Sequence, residues 1–80
     1  MNYESPSGKA ARAIRILLAA QRMSIAELAE QSGVTLSTLK RRLLLASPFT
    51  IDELGLIAAA LDVRVVNLLD PASAAEAVAA

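Results

Sequence analysis

Residues 24–45, SIAELAEQSGVTLSTLKRRLLL, contain two helix starts separated by a tight turn. Ser24 is followed three residues later by Glu27, and this capping box predicts a short helix over residues 25–31. Gly33 suits the position just after that helix, where a positive φ costs a glycine little. The pattern therefore predicts a short helix that ends in a sharp turn.

A second helix follows the turn, with Thr35 as its N-cap, and we expect it to span residues 36–45. Leu39 and Leu43 are four residues apart, so they share the face directed to the core. The outward face of this second helix carries mostly polar and basic side chains: Ser37, Lys40, Arg41 and Leu44. A helix presented in this way can enter the major groove of duplex DNA.

The flanking sequence predicts further short helices and few strand formers. The expected fold is all-α, a compact bundle of five short helices within a domain of residues 1–70. These helices are expected at residues 6–23, 25–31, 36–45, 51–61 and 65–69. Residues 1–5 are expected to form a flexible arm. The alanine-rich tail, residues 71–80, should be frayed or weakly helical, because short isolated helices are marginal in water.

The composition argues against several classes of protein. The chain has no cysteine and no histidine, so the usual zinc ligands and the usual nucleophile and base of neutral-pH catalysis are missing. We expect no enzyme activity, no cofactor and no small-molecule ligand. No apolar run reaches the roughly 20 residues of a membrane span, and the first residues do not resemble a signal peptide. These features predict a cytoplasmic protein without a membrane partner.

The charges are unevenly distributed although the formal net charge is zero. Residues 9–42 hold seven basic side chains and two acidic ones, whereas residues 43–80 hold one basic side chain and five acidic ones. Such asymmetry steers the basic half of a molecule toward a polyanion. Duplex DNA is thus the expected partner.

Two segments carry a resemblance to a known family. MSIAELAEQSGVTLSTLKRRL, followed by SPFTIDELGLIAAALDVRVVNLL, resembles the helix-turn-helix domain of the lambda-repressor/Cro (XRE) family over about residues 9–70. The sequence is similar to short regulators of actinobacteria and their temperate phages, immunity repressors among them. The resemblance implies transcriptional regulation, most simply repression, through a recognition helix at residues 36–45.

The resemblance also implies roles for individual side chains. Arginine reads guanine through two hydrogen bonds, and Arg41 is the residue expected to do so here. The expected base-contacting residues are Leu36, Ser37, Lys40, Arg41 and Leu44. The expected phosphate-contacting residues are Lys9, Arg12, Arg15, Ser24, Thr35 and Arg42.

Some positions depart from the family pattern and leave alternatives open. Ile25 stands where the family often has a polar residue, and Leu44-Leu45-Ala46 stands where it usually has Asn-Gly and a basic residue. Leu44 and Leu45 have two interpretations: both extend the core or are simply exposed, or Leu44 contacts a thymine methyl and Leu45 joins a partner surface. The alternative function is a helical protein–protein interaction module with the same fold and weak or no DNA binding. A weak homodimer through the C-terminal helix is also expected, with Val66 or Leu69 available to a partner.

Overall fold

The computed structural model describes residues 5–79, which form five α-helices and one short 3₁₀ helix. The α-helices are α1 (Pro6–Gln21), α2 (Ile25–Ser32), α3 (Leu36–Leu43), α4 (Ile51–Leu61) and α5 (Pro71–Ala79), and the 3₁₀ helix is Val65–Leu68. No strand occurs among these residues, so the all-α class is confirmed. Of the predicted flexible arm, only Ser5 lies within the described residues.

Local signals in the sequence set both ends of α1. The Ser5 Oγ accepts a hydrogen bond from the Gly8 amide at 3.0 Å, and Pro6 occupies the first helical position. The helix ends where Arg22 takes a left-handed conformation, with φ 54°. The predicted end near residue 23 is therefore slightly late.

The turn between α2 and α3 has the geometry that its sequence predicts. Ser24 and Glu27 form both hydrogen bonds of the capping box, at 3.0 and 3.1 Å. Gly33 adopts φ 83°, and Val34 behind it is buried. The buried Ser32 hydroxyl accepts a hydrogen bond from the Val34 amide at 3.1 Å, so this turn is closed by side chains as well as by the backbone.

The helix predicted over residues 36–45 is shorter than expected, because α3 ends at Leu43. Leu45 has a left-handed backbone with φ 62°. That conformation costs a leucine about 1–2 kcal/mol, but it lets the Ala46 amide donate to the Arg41 carbonyl at 2.9 Å. The bond satisfies a carbonyl that the end of the helix would otherwise leave unpaired.

One hydrophobic core joins all the elements, and α1 is its centre. The backbone of α1 packs against α3, α5 and the 3₁₀ helix, while α2 packs against α3 and α4. Leu39 and Leu43, the predicted inward residues of α3, are buried, and α4 buries Leu54, Ile57, Ala58 and Leu61. The largest fully buried side chains are Ile14, Leu17, Leu28, Leu39, Leu43, Ile57, Leu61 and Leu68.

The C-terminal third differs most from the prediction. The segment expected to be the fifth α-helix is a 3₁₀ helix that directs Leu68 inward. The alanine-rich segment, predicted to be frayed or at most a weak or short helix, forms α5, which packs along α1 with Ala74 fully buried. The Asp70 carboxylate caps α5 by accepting from the Ser73 amide at 2.9 Å. Tertiary contact with α1 thus stabilises a helix that would be marginal alone.

Candidate nucleic-acid interface

The outward face of α3 is exposed and contains every residue predicted to contact bases. At about 100° per residue, these side chains fall within an arc of about 140° around the helix. Ser37, Lys40 and Arg41 are exposed, and Leu36 and Leu44 expose 37% and 72% of their surface. This face is therefore accessible, as the contacting face of a helix in the major groove must be.

The two hydroxyl side chains that are predicted to contact phosphate lie at helix N-termini. Ser24 caps α2 and Thr35 caps α3, and both residues are exposed. The Thr35 hydroxyl accepts from the Thr38 amide at 3.3 Å and donates to the Thr38 Oγ1 at 2.9 Å. The positive ends of two helix dipoles therefore accompany these hydroxyls, an arrangement that favours anions.

The basic flank of α1 consists of the exposed Lys9, Arg12 and Arg15, and Arg15 reaches the C-terminal end of α3. The Arg15 Nη2 donates to the Leu43 carbonyl at 3.4 Å. Eight residues earlier on α1, the Ser7 hydroxyl accepts from the Phe49 amide at 3.1 Å. The two contacts are about 12 Å apart along α1, so this helix runs alongside the segment that leaves α3.

Arg42 is not available in the way that the sequence predicts. Its side chain is only 16% exposed and forms a salt bridge with Glu53. The guanidinium Nε and Nη2 donate to the two oxygens of that carboxylate, each at 2.9 Å, and Nη1 donates to the Ser47 hydroxyl. The guanidinium is held within the protein by Glu53 and Ser47, and the phosphate contact predicted for Arg42 would require it to give up this link.

The same contacts shift the titration of both partners. Hydrogen bonding from Arg42 lowers the pKa of the Glu53 carboxyl, although partial burial acts in the opposite direction. The carboxylate raises the pKa of Arg42 in turn. Both groups are therefore charged throughout the neutral range.

This link predicts a loss of stability in acid. Because the pKa of Glu53 in the folded state lies below its ordinary value of 4.5, the pair stabilises the fold fully above that pH. The stabilisation is lost as the pH falls through the lowered pKa. Urea unfolding from pH 7 to pH 3 should show a steeper decline for the wild type than for Glu53→Gln.

The exposed Asp52 supplies a matched control for that measurement, since it precedes Glu53 on the same helix turn. Asp52→Asn should keep the steep acid decline. Curves of equal steepness for the wild type and Glu53→Gln would show that the pair does not contribute.

The remaining large apolar side chains of this region divide into two groups. Leu45 and Phe49 are partly buried and pack against the core, so Leu45 extends the core and Phe49 fills the space below the loop. Ile51 is 82% exposed at the start of α4, and Val66 and Leu69 expose 44% and 49% near the C-terminus. No sequence pattern singles out Ile51, because the capping box around it involves only Thr50 and Glu53.

Other kinds of site are not supported within residues 5–79. None of the helices there has the length and apolar character needed to cross a membrane. That part of the chain also holds no group of three or more acidic, histidine or cysteine side chains arranged to bind a metal ion.

A family model described as helix-turn-helix matches residues 14–68, which is more than half of the chain. The match spans α2, the Gly33 turn and α3, together with most of the core. The chain therefore belongs to the helix-turn-helix family of the lambda-repressor (XRE) type, a class of DNA-binding regulators. Comparisons with curated proteins and with solved structures found no match.

Proposed function

We propose that this protein is a sequence-specific repressor, of phage or bacterial origin, that places α3 in the major groove of duplex DNA. The observation that carries the proposal is the two-sided character of α3. Leu39 and Leu43 fix one side in the core, while the other side offers exposed polar and basic groups. Such a helix can meet base edges without a change of fold.

Base reading is assigned to the exposed arc of α3. Arg41 provides a fork of donors that suits the O6 and N7 acceptors of guanine. Lys40 and Ser37 supply further hydrogen bonds, and Leu36 and Leu44 are suited to the methyl groups of thymine. Sequence preference would then come from one face of a single helix.

Phosphate binding is assigned to residues around that helix. Lys9, Arg12 and Arg15 form the basic flank of α1, of which Arg15 reaches the C-terminal end of α3, and the hydroxyls of Ser24 and Thr35 lie at helix N-termini. Contacts of this kind fix the orientation of a protein on DNA and carry no sequence information. Arg42 is left out of this set because Glu53 holds it.

A weak homodimer that becomes stable on DNA is also part of the proposal. Val66 and Leu69, close to α5 in the sequence, expose 44% and 49% of their surface, which leaves apolar area for a second copy to cover. A two-fold dimer would read two half-sites separated by one or more helical turns of DNA. The preferred duplex should then be a palindrome or close to one.

The proposal is tested by selecting bound duplexes from a random pool and titrating the selected duplex with salt. The three cations assigned to phosphate should displace counterions, which gives a log–log slope of roughly −3. The selected sequences report both the preference and its symmetry. An asymmetric site that binds a single chain would contradict the dimer and leave a monomeric reader.

A second function has its own observation in its favour. Leu44 and Ile51 expose 72% and 82% of their surface at the two ends of the α3–α4 connection. These side chains would suit a helical protein–protein interaction module that does not need DNA. Absence of duplex binding at low salt, or binding that does not change with salt, would favour this function over DNA recognition.

A further inference from the structure

The link between Arg42 and Glu53 is unusually well fixed at both ends. Two donors of the planar guanidinium meet two oxygens of the carboxylate, a geometry that is both strong and directional. Glu53 is itself held, because its Oε1 accepts from the Thr50 amide at 2.9 Å. Ser47 takes a third donor of Arg42. The last turn of α3, the connection and the first turn of α4 are thus joined by one network.

This network supplies an attachment that backbone packing does not. The helix α3 packs against α1 and α2, but the backbones of α3 and α4 hardly approach each other. Leu39 and Leu43 are the buried side chains of α3 and lie on a single stripe of the helix, so a contact away from that stripe adds a second constraint on its rotation. Arg42 lies to one side of the stripe, where its link to Glu53 supplies that constraint.

We propose that Arg42 and Glu53 act as positioning residues that set the rotation of α3 and so determine sequence preference without touching DNA. The inference rests on the proposed function. Hydrogen bonds to base edges lose strength over a few tenths of an ångström, and a recognition site must be held to within about 0.5 Å. Phosphate contacts from long exposed side chains tolerate a small rotation. Loss of the pair should therefore reduce preference more than general affinity.

The test compares Glu53→Gln, Arg42→Gln and the double variant with the wild type. Dissociation constants are measured for the selected duplex and for a scrambled duplex at one salt concentration, at a temperature where circular dichroism shows every protein folded. Each single change should lower the ratio of the two affinities by roughly five- to tenfold, and the double change should lower it no further. Glu53→Gln should not weaken binding to the scrambled duplex, because it removes no cation.

Two further variants make the result specific. Asp52→Asn removes a carboxylate from the same helix turn and should leave the ratio unchanged. Arg42→Lys keeps the charge but loses the fork, so it should lower the ratio as Arg42→Gln does. If Arg42→Gln is unfolded, Arg42→Lys takes its place in the comparison. A lysine that contacts phosphate would instead preserve binding to both duplexes.

The other outcomes separate this inference from the proposed function. If Arg42→Gln weakens both duplexes equally while Glu53→Gln has no effect on preference, Arg42 contacts phosphate and the positioning role is wrong. An unchanged ratio in all variants also overturns it, while DNA recognition by the wild type stands. If the wild type itself does not prefer the selected duplex, the proposed function and this inference both fail.

Discussion

Replacement of Leu39 by alanine is expected to lower the free energy of unfolding by about 2–5 kcal/mol. Leu39 is fully buried in the middle of α3, the helix that packs against both α1 and α2. A domain of this size has a total stability of only about 4–12 kcal/mol. The variant should therefore unfold at much lower urea concentration, and part of it should be unfolded without denaturant.

Leu44 provides the matched control for this prediction. It lies at the end of the same helix, loses the same atoms on replacement by alanine, and is 72% exposed. Leu44→Ala should change the free energy of unfolding by no more than about 0.5 kcal/mol. A Leu39→Ala protein that unfolds with the wild type would mean that α3 does not present this side chain to the core.

Replacement of Arg41 by alanine is expected to reduce discrimination at one base position by about 1–3 kcal/mol. Arg41 is exposed on α3 and, unlike its neighbour Arg42, is not held in a salt bridge with Glu53. A second selection with the variant should return the same site with one position relaxed. The affinity for unrelated duplexes should fall much less.

Arg12 is the comparison, because Arg12→Ala removes the same charge from the flank of α1. This change should weaken all duplexes about equally and reduce the salt slope by about 1, without altering the selected site. Identical selection profiles for the two variants would place base reading somewhere other than the outward face of α3.

The parts of the fold that depend on neighbouring residues were predictable. The capping box of Ser24 and Glu27 forms as its sequence indicates, and α4 spans Ile51–Leu61 as expected, with Thr50 and Glu53 forming a second capping box at its start. Gly33 takes the positive φ that its position requires. Each of these features is decided within four residues along the chain, so a sequence pattern contains all the information that it needs.

The parts of the fold that depend on distant residues were not predictable from the sequence. Arg42 and Glu53 are eleven residues apart and lie on different helices, so no local pattern links them. The capping box with Thr50 already accounts for Glu53. An alanine-rich segment such as α5 predicts little stability by itself, and its order comes from α1. Leu45 has a backbone conformation that a leucine does not favour, so its residue type gave no indication of where α3 ends.

The packing of α5 on α1 also has a consequence for cooperativity. The first and last helices of the described chain pack on one another, so the fold contains a contact between the most distant parts of the described sequence, and contacts of this kind slow folding. The helix on which α5 packs also carries the exposed side chains of Lys9, Arg12 and Arg15. The folding of α5 and the position of these positive charges are therefore linked through one helix, α1. Whatever releases α5 acts on that charged flank as well.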